Sequence, residues 1–288
     1  NKNMRILEPY KYGLSSKDVY AFEGTSGLWA GGRTYGPNSG ISYFDINRNI
    51  YENYYFKNII NIDETPIFSI LDYKKMIFFG GNEKIISYDK KKDSWNQIYL
   101  PSGSRSNFVK NIIFNERTMW IATPNGLQII DSISNDLNEV TDALKNIFIH
   151  DLLFFKNNIY IATEFGLLIY NNKNSALYDY ADYGYRDKEI TFPSSQTSFT
   201  AIATSNNDVY FSTHESIIKL DTSNRTWSKT INSAIYQGEE IIDFDVHKND
   251  FFIATVNKLT HYNNKKKVPD YFNYNFLGNI NKLKVDSR

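Results

Sequence analysis

Short runs of alternating apolar and polar residues fill most of this chain. In residues 150–180 the runs HDLLFF, IYIAT, LLIY and ALYDY are separated by KNN, EFG and NNKNS. Alternation with a period of two is typical of a strand with one buried face, and segments rich in Asn and Gly are typical of tight turns. These runs lack the 3.6-residue spacing of a helix. The pattern predicts short antiparallel strands.

The same unit of strands is repeated six times. Its clearest part is the run LWAGG, IFFGG, MWIAT, IYIAT, VYFST or FFIAT, which recurs at intervals of 40 to 50 residues. The second position of each run is aromatic: Trp29, Phe78, Trp120, Tyr160, Tyr210 and Phe252. A period of this length is typical of a four-stranded propeller blade. We therefore predict an all-β fold, a β-propeller of six four-stranded blades.

Domain organisation follows from the repeats. We expect a single β-propeller domain over residues 1–288, in which the two termini pair to close the ring and protect its edge strands. The approximate repeats are 18–62, 63–104, 105–145, 146–192, 193–236 and 237–275. MRILEP near the start and FLGNINKLKVDSR at the end also have the pattern of strands, the latter of another inner strand. A seventh blade composed from both termini is the alternative.

Two polar positions recur in the repeat and are predicted to be structural. A threonine ends the second strand, where its hydroxyl can hydrogen-bond the backbone of the next turn. An Asp or Asn ends the third strand, where a side chain that mimics the backbone favours a turn. The residues are Thr123, Thr163, Thr213 and Thr255, and Asp45, Asp89, Asp131, Asn171, Asp221 and Asn263.

Two copies of the repeat resemble a known family. MWIATPNGLQIID at residues 119–131 and IYIATEFGLLIYN at residues 159–171 are similar to the propeller repeats of bacterial two-component regulators, in which lWigT is followed by a Gly-Leu turn and a strand ending in yd. The resemblance covers about residues 18–275, and other copies depart from it, with HES and VNK in place of the Gly-Leu turn. It implies a propeller and ligand sensing, although that family usually signals through a kinase output without a counterpart in this sequence.

Composition excludes several classes of function. The chain has 288 residues, 41% of them hydrophobic, and no segment has the eighteen or more apolar residues of a membrane span. Its 32 Lys and Arg balance 32 Asp and Glu, so no overall positive charge attracts a nucleic acid. Cysteine is absent, which excludes thiolate metal sites and cysteine nucleophiles. Neither a nucleic-acid partner nor a transmembrane segment is expected.

Basic residues concentrate on one predicted face of the propeller, in the turns between strands one and two and between strands three and four. This basic rim could attract a sulfated glycan, an anionic membrane surface or an acidic protein. The alternative is that these lysines only solvate the turns. The residues of the rim are Lys90, Lys91, Lys92, Arg225, Lys265, Lys266 and Lys267.

Two insertions lengthen connections on the opposite face. GGRTYGPNSG lies in the first repeat, and YADYGYRDKEITFPSSQTSF lies between the fourth and fifth. Loops that combine aromatic residues with Arg are common in binding surfaces, since these side chains offer large contact areas at low entropic cost. We predict a surface of exposed side chains that binds a partner and contributes little to the core. The alternative is a surface loop without a binding role. Its residues are Arg33, Tyr35, Asn38, Tyr183, Tyr185, Arg186 and Asp187.

Small polar residues occupy one equivalent position in four predicted inner strands. Asp243 aligns with Asp151, and Asn111 and Ser69 take the same place in other repeats. Oxygen ligands around a channel mouth could hold a divalent cation, as in propeller lactonases, which have Glu, Asn and Asp there. A water-filled channel without a metal is the alternative. Asp151 and Asp243 are therefore candidate metal ligands.

These features favour a non-enzymatic binding module of the bacterial cell envelope, in the periplasm or on the outer surface. Its partner would be a protein or a sulfated or other anionic glycan, for instance in adhesion to a host matrix. Export is inferred from the resemblance and from the absence of a starting methionine, and membrane association would be peripheral or through a lipid anchor on a part not present here. The alternatives are a ligand-sensing domain of a receptor and a metal-dependent, lactonase-like hydrolase. No catalytic residue is assigned.

Overall fold

A computed structural model describes most of the chain. The described residues are 19–23, 27–32, 38–45, 48, 50–101, 103, 107–115, 118–130, 138–186, 197–214, 216–273 and 282–283. The chain divides after Phe114 into two compact units.

The first unit contains two antiparallel sheets, blades 1 and 2. Their strand orders are β1-β2-β3-β4 and β5-β6-β7-β8, so each blade is a meander of consecutive hairpins. The strands are β1 (Val19–Glu23), β2 (Leu28–Gly32), β3 (Gly40–Asp45), β4 (Ile50–Tyr55), β5 (Ser69–Tyr73), β6 (Met76–Gly80), β7 (Lys84–Asp89) and β8 (Ser94–Tyr99). A further strand, β9 (Asn111–Asn115), starts at the end of this unit.

The second unit contains the strands of the remaining blades. Blade 3 has the described order β11-β10-β9, blade 4 β12-β13-β14-β15, blade 5 β16-β20-β19-β18-β17 and blade 6 β21-β22-β23-β24. The strands are β10 (Thr118–Thr123), β11 (Gly126–Ile130), β12 (Ile149–Phe155), β13 (Asn158–Thr163), β14 (Gly166–Asn171), β15 (Ala176–Asp179), β16 (Tyr185–Arg186), β17 (Phe199–Ser205), β18 (Asp208–Thr213), β19 (Ser216–Asp221), β20 (Thr226–Asn232), β21 (Ile241–His247), β22 (Asp250–Thr255), β23 (Lys258–Asn263) and β24 (Val268–Asn273).

The predicted fold class, an all-β propeller of six blades, is confirmed. Each predicted repeat forms one sheet of consecutive antiparallel strands. The short strand β16 was not predicted, and it pairs in parallel with β20, with Tyr185 opposite Thr226 and Arg186 opposite Trp227. The single-domain organisation and the seventh blade composed from both termini stay predictions, since residues 1–18 and most residues after 273 lie outside the described part.

Helical structure is limited to short connections in the described part of the chain. They are the helix α1 (Asn138–Ala143) and the 3-10 helices Phe56–Asn58 and Ser233–Tyr236. The sequence pattern missed α1 because it is too short to show a helical period. Its position is explained by Val140 and Leu144, which are four residues apart and both buried.

The hydrophobic cores lie between successive blades. In the first unit, Trp29 and Ile41 of blade 1 pack with Ile77 and Phe79 of blade 2. Of the two cores described here in the second unit, one is shared by blades 4 and 5 and contains Tyr160, Phe211 and Trp227. The other is shared by blades 5 and 6 and contains Tyr210, Ile241 and Phe251. In blades 1, 4 and 5 the aromatic second position of the repeated run, at Trp29, Tyr160 and Tyr210, is therefore a packing position.

The predicted structural threonines are confirmed. Thr163 Oγ1 donates to the carbonyl of Gly166 at 2.9 Å and accepts from the backbone N–H of Phe165 at 3.1 Å. Thr123 and Thr213 each donate to the carbonyl three residues on, at 2.8 and 3.1 Å. The Thr255 hydroxyl lies 3.3 Å from the corresponding carbonyl of Lys258 and donates to Glu239 Oε2 at 2.5 Å. One hydroxyl thus fixes both sides of a tight turn, which makes these turns rigid.

The predicted turn-forming Asp and Asn side chains are also confirmed where they are described. Asp221 Oδ1 accepts from the backbone N–H of Ser223 at 2.8 Å and of Asn224 at 3.2 Å. These two N–H groups hold the pKa of the Asp221 carboxyl below its ordinary value. Corresponding bonds to the backbone N–H two or three residues on are made by Asp45, Asp89, Asn171 and Asn263, while Asp131 lies outside the described residues.

Candidate functional site

The inner strands of blades 4, 5 and 6 contact one another in succession, β12 with β17 and β17 with β21. Each starts with a bulge, after which Asp151 faces Ala162, Ala201 faces Ser212, and Asp243 faces Ala254. The predicted equivalence of Asp151 and Asp243 is thereby confirmed. Asp151 Oδ2 accepts from Ile202 N at 2.8 Å. Because the blades of a propeller repeat one arrangement around a ring, equivalent turns of these blades lie on the same face.

The turns between the second and third strands of these blades form one candidate surface. Their tips are Phe165 in blade 4, His214 in blade 5 and Val256 in blade 6, which we call the turn-tip surface. Phe165 is 59% exposed and Val256 45% exposed, and His214 is also exposed. The threonine hydrogen bonds described above hold Phe165 in a tight turn, so its ring is presented to solvent from a fixed backbone.

Further aromatic residues adjoin the Phe165 turn. The backbone N–H of Phe148 donates to Glu164 Oε1 at 2.8 Å, and the N–H of Glu164 donates to the carbonyl of Phe148 at 3.0 Å. The ring of Phe148 stacks on the imidazole of His150 with centroids 4.5 Å apart. This surface was not predicted from the sequence, although an apolar residue at the tip of a two-residue turn is a signal for it.

A serine and a histidine also meet beside this surface. Ser198 Oγ lies 3.3 Å from His150 Nε2. The neighbouring carboxylate, Asp151, accepts backbone N–H groups with both oxygens, from Leu152 at 3.0 Å and from Ile202 at 2.8 Å. Asp151, which follows His150 in the sequence, thus joins blades 4 and 5 and has a structural role.

One residue of the predicted loop surface, Tyr183, is buried and not exposed. Tyr183 is 7% exposed and belongs to the core between blades 4 and 5, so the prediction of an exposed side chain is wrong for this residue. Its hydroxyl accepts from Asn158 Nδ2 at 2.9 Å, and its carbonyl accepts from Trp227 Nε1 at 2.5 Å. Next to it, Gly184 has a φ of 92° and allows the backbone to approach Arg225, where a Cβ would lie 2.3 Å from the Arg225 carbonyl oxygen.

The remaining loop residues are only partly described. Asn38 is exposed, and the backbone of Tyr185 and Arg186 forms β16. Arg33, Tyr35 and Asp187 lie outside the described residues. A binding role for these residues stays a prediction, but in the second insertion the backbone is attached to blade 5 as far as Arg186.

The predicted basic rim is exposed in both units. In the first unit, Lys90 pairs with Asp72 at 2.7 Å, while Lys91 and Lys92 extend from the turn into solvent. In the second unit, Arg225 lies over the ring of Tyr183 at 5.5 Å. Lys265, Lys266 and Lys267 are exposed, and no ion pair within the described ranges involves them.

The two candidate metal ligands have protein partners. Asp243 Oδ2 accepts from the backbone N–H of Leu283 at 2.6 Å and lies 3.4 Å from Lys282 Nζ. The positions of Asn111 and Ser69 belong to the first unit, where Ser69 Oγ donates to the carbonyl of Val109 at 2.8 Å. Among the described residues, no group of three or more His, Asp or Glu side chains is placed to hold a metal ion. A cation at Asp151 and Asp243 stays a prediction for metal analysis to test.

Comparisons with known proteins concern the fold. No family model and no curated protein matches the chain in sequence. A chain in the crystal structure of the mitotic checkpoint complex matches with a TM-score of 0.59 and 10% identity, over 88% of this chain and 76% of that one. The computationally designed Ika8 protein matches with a TM-score of 0.53 and 9% identity, over 87% and 72% of the two chains. The extracellular domain of BT4673 from B. thetaiotaomicron matches with a TM-score of 0.45 and 16% identity, over 90% of this chain and 41% of that one.

At identities this low, the likeness to the first two structures shows a shared fold alone. The resemblance to the repeats of two-component regulators stays a prediction from the sequence. In the described part of the chain, no helix has the length and apolar character needed to cross a bilayer.

Proposed function

We propose that this chain is a non-enzymatic binding module that recognises a protein partner through the turn-tip surface of blades 4, 5 and 6. The main support for this proposal is Phe165, a large apolar side chain that is 59% exposed on a turn held by hydrogen bonds to Thr163. An aromatic ring on a rigid backbone loses little entropy on binding, and such residues often dominate the binding energy. Val256 and His214 extend the surface along equivalent turns.

Location in the bacterial envelope, in the periplasm or on the outer surface, is part of this proposal and rests on the resemblance of the repeats. A ligand-sensing domain of a receptor is compatible with the same surface. A metal-dependent hydrolase would need the carboxylates of Asp151 and Asp243, which are engaged with backbone N–H groups.

Site-specific crosslinking tests the surface in the cell. The photoreactive residue benzoylphenylalanine at position 165 is expected to yield one dominant covalent product with a partner. The matched control has the same residue at Val268, which is 58% exposed on the outer strand of blade 6. Identical products from both positions, or none from position 165, would refute the proposal.

The partner found in this way allows a quantitative prediction. Phe165→Ala is expected to weaken binding at least tenfold, which corresponds to about 1.4 kcal/mol or more. The melting temperature should stay within about 2 °C of the wild type, because an exposed turn tip contributes little to stability. Isothermal titration calorimetry measures the affinity, and Val268→Ala is the control. Equal affinities of the two variants would contradict the prediction.

A second candidate function is binding of an anionic glycan by the basic rim. It is favoured by Lys265, Lys266 and Lys267, which are exposed and form no ion pair with any residue that the structure describes. Replacing these three lysines with Glu is expected to lower the NaCl concentration that elutes the protein from heparin, roughly by half. Replacing Lys57, Lys145 and Lys229, which are exposed elsewhere, changes the net charge equally and should have a smaller effect. Equal shifts in the two triple variants would exclude a rim-specific site.

A further inference from the structure

The segment Lys282–Leu283 contacts the inner strand of blade 6. The backbone N–H of Leu283 donates to Asp243 Oδ2 at 2.6 Å, and Lys282 Nζ lies 3.4 Å from the same oxygen. Asp243 is only 4% exposed. Its carboxylate therefore receives a backbone hydrogen bond and a charged partner from two consecutive residues, although 40 residues separate Asp243 from Leu283.

The position of Leu283 repeats an arrangement found between blades 4 and 5. There Asp151, which is equivalent to Asp243, accepts from the backbone N–H of Ile202 on the next inner strand at 2.8 Å. Leu283 therefore donates to Asp243 in the same way as Ile202 donates to Asp151. By this comparison, Lys282 takes the position of Ala201. The segment occupies the place of a following inner strand.

The two arrangements, Ala201–Ile202 beside Asp151 and Lys282–Leu283 beside Asp243, differ in charge. Ala201 is apolar, whereas the Lys282 ammonium group lies 3.4 Å from Asp243 Oδ2. The Lys282 side chain is 41% exposed, and its attraction to Asp243 and then Asp151 outweighs its partial loss of hydration and raises its pKa. Lys282 is thus a charged partner of the buried Asp243 carboxylate, and removing one partner of such a pair leaves the other charge uncompensated.

We propose that Lys282 and Leu283 form an electrostatic strap, which is fastened to blade 6 through Asp243 and detaches when this ion pair is broken. The backbone hydrogen bond sets the register of the strap, as it does for Ile202. This proposal is independent of the binding function.

Proteolysis after lysine tests the strap directly. In Asp243→Asn, cleavage after Lys282 by endoproteinase Lys-C is expected to be at least tenfold faster than in the wild type, because the carboxylate charge is lost. Asp270→Asn, on the outer strand of the same blade, is the matched control and should leave the rate unchanged. Cleavage in the turn Lys265–Lys267 serves as an internal reference in both variants. An unchanged rate after Lys282 in Asp243→Asn would overturn the proposal.

Lys282→Gln provides a test that leaves the buried Asp243 in place. Exchange of the Leu283 amide hydrogen, followed by mass spectrometry or NMR, is expected to be at least tenfold faster than in the wild type. Exchange of the Ile202 amide hydrogen should not change, because its acceptor is Asp151. Equal exchange at Leu283 in both proteins, or loss of protection at Ile202 as well, would show that no local strap exists.

Discussion

Tyr183→Ala is expected to lower the free energy of unfolding by about 3–5 kcal/mol, as is typical when a large buried aromatic side chain is truncated. Tyr183 is buried between blades 4 and 5, and its hydroxyl accepts from Asn158 Nδ2, which has few alternatives in that core. The cost has two sources, because truncation creates a cavity and leaves a buried amide N–H with fewer partners. Urea unfolding followed by tryptophan fluorescence measures the change.

Two variants separate these contributions. Tyr183→Phe removes only the hydroxyl and is expected to cost about 1 kcal/mol. Phe165→Ala truncates an aromatic side chain of similar size that is exposed, and its effect on stability should lie within about 0.5 kcal/mol. If Tyr183→Ala were as stable as the wild type, the insertion would be a free loop, as the sequence analysis expected.

Asp151→Ala is expected to destabilise the protein by about 3 kcal/mol. The substitution removes the acceptor of two backbone N–H groups, those of Leu152 and Ile202, and leaving a buried donor unsatisfied costs about 1–3 kcal/mol each. Because Ile202 belongs to the next blade, the carboxylate joins two sheets in addition to its bond within its own strand. Thermal and urea unfolding measure the loss, and amide exchange at Ile202 locates it.

Asp245→Ala is the matched control for this prediction. Asp245 lies on β21, is partly exposed, and accepts from the backbone N–H of Val246 at 2.8 Å. It makes this bond within its own strand, so its removal is expected to cost at most about 1 kcal/mol. Equal costs for Asp151→Ala and Asp245→Ala would show that the bond between blades contributes nothing.

The fold was predictable because its determinants are local. A period of two over five or six residues, followed by an Asp or Asn that starts a turn, specifies a hairpin within a few residues, and six copies of that signal add to one architecture. Thr163 and Asp221 have the predicted hydrogen bonds because their acceptors and donors lie two or three residues away. Even the equivalence of Asp151 and Asp243 follows from counting along each repeat.

The candidate sites depend on contacts between distant residues, and there prediction was weaker. YADYGYRD has the composition of an exposed loop, yet Tyr183 contacts Trp227, which lies 44 residues further along the chain. Composition indicates what a segment can do, whereas its burial depends on whether another sheet offers a complementary surface. The contact of Lys282 with Asp243 was likewise missed, although the end of the sequence was predicted to behave as an inner strand.

The attachment of β16 to the outside of blade 5 has a consequence for how the protein behaves at high concentration. An outermost strand presents unpaired N–H and C=O groups, to which another polypeptide can add and start aggregation. Along Thr226 and Trp227 these groups already face Tyr185 and Arg186 of the same molecule. The insertion between blades 4 and 5 thus protects this part of the edge against self-assembly.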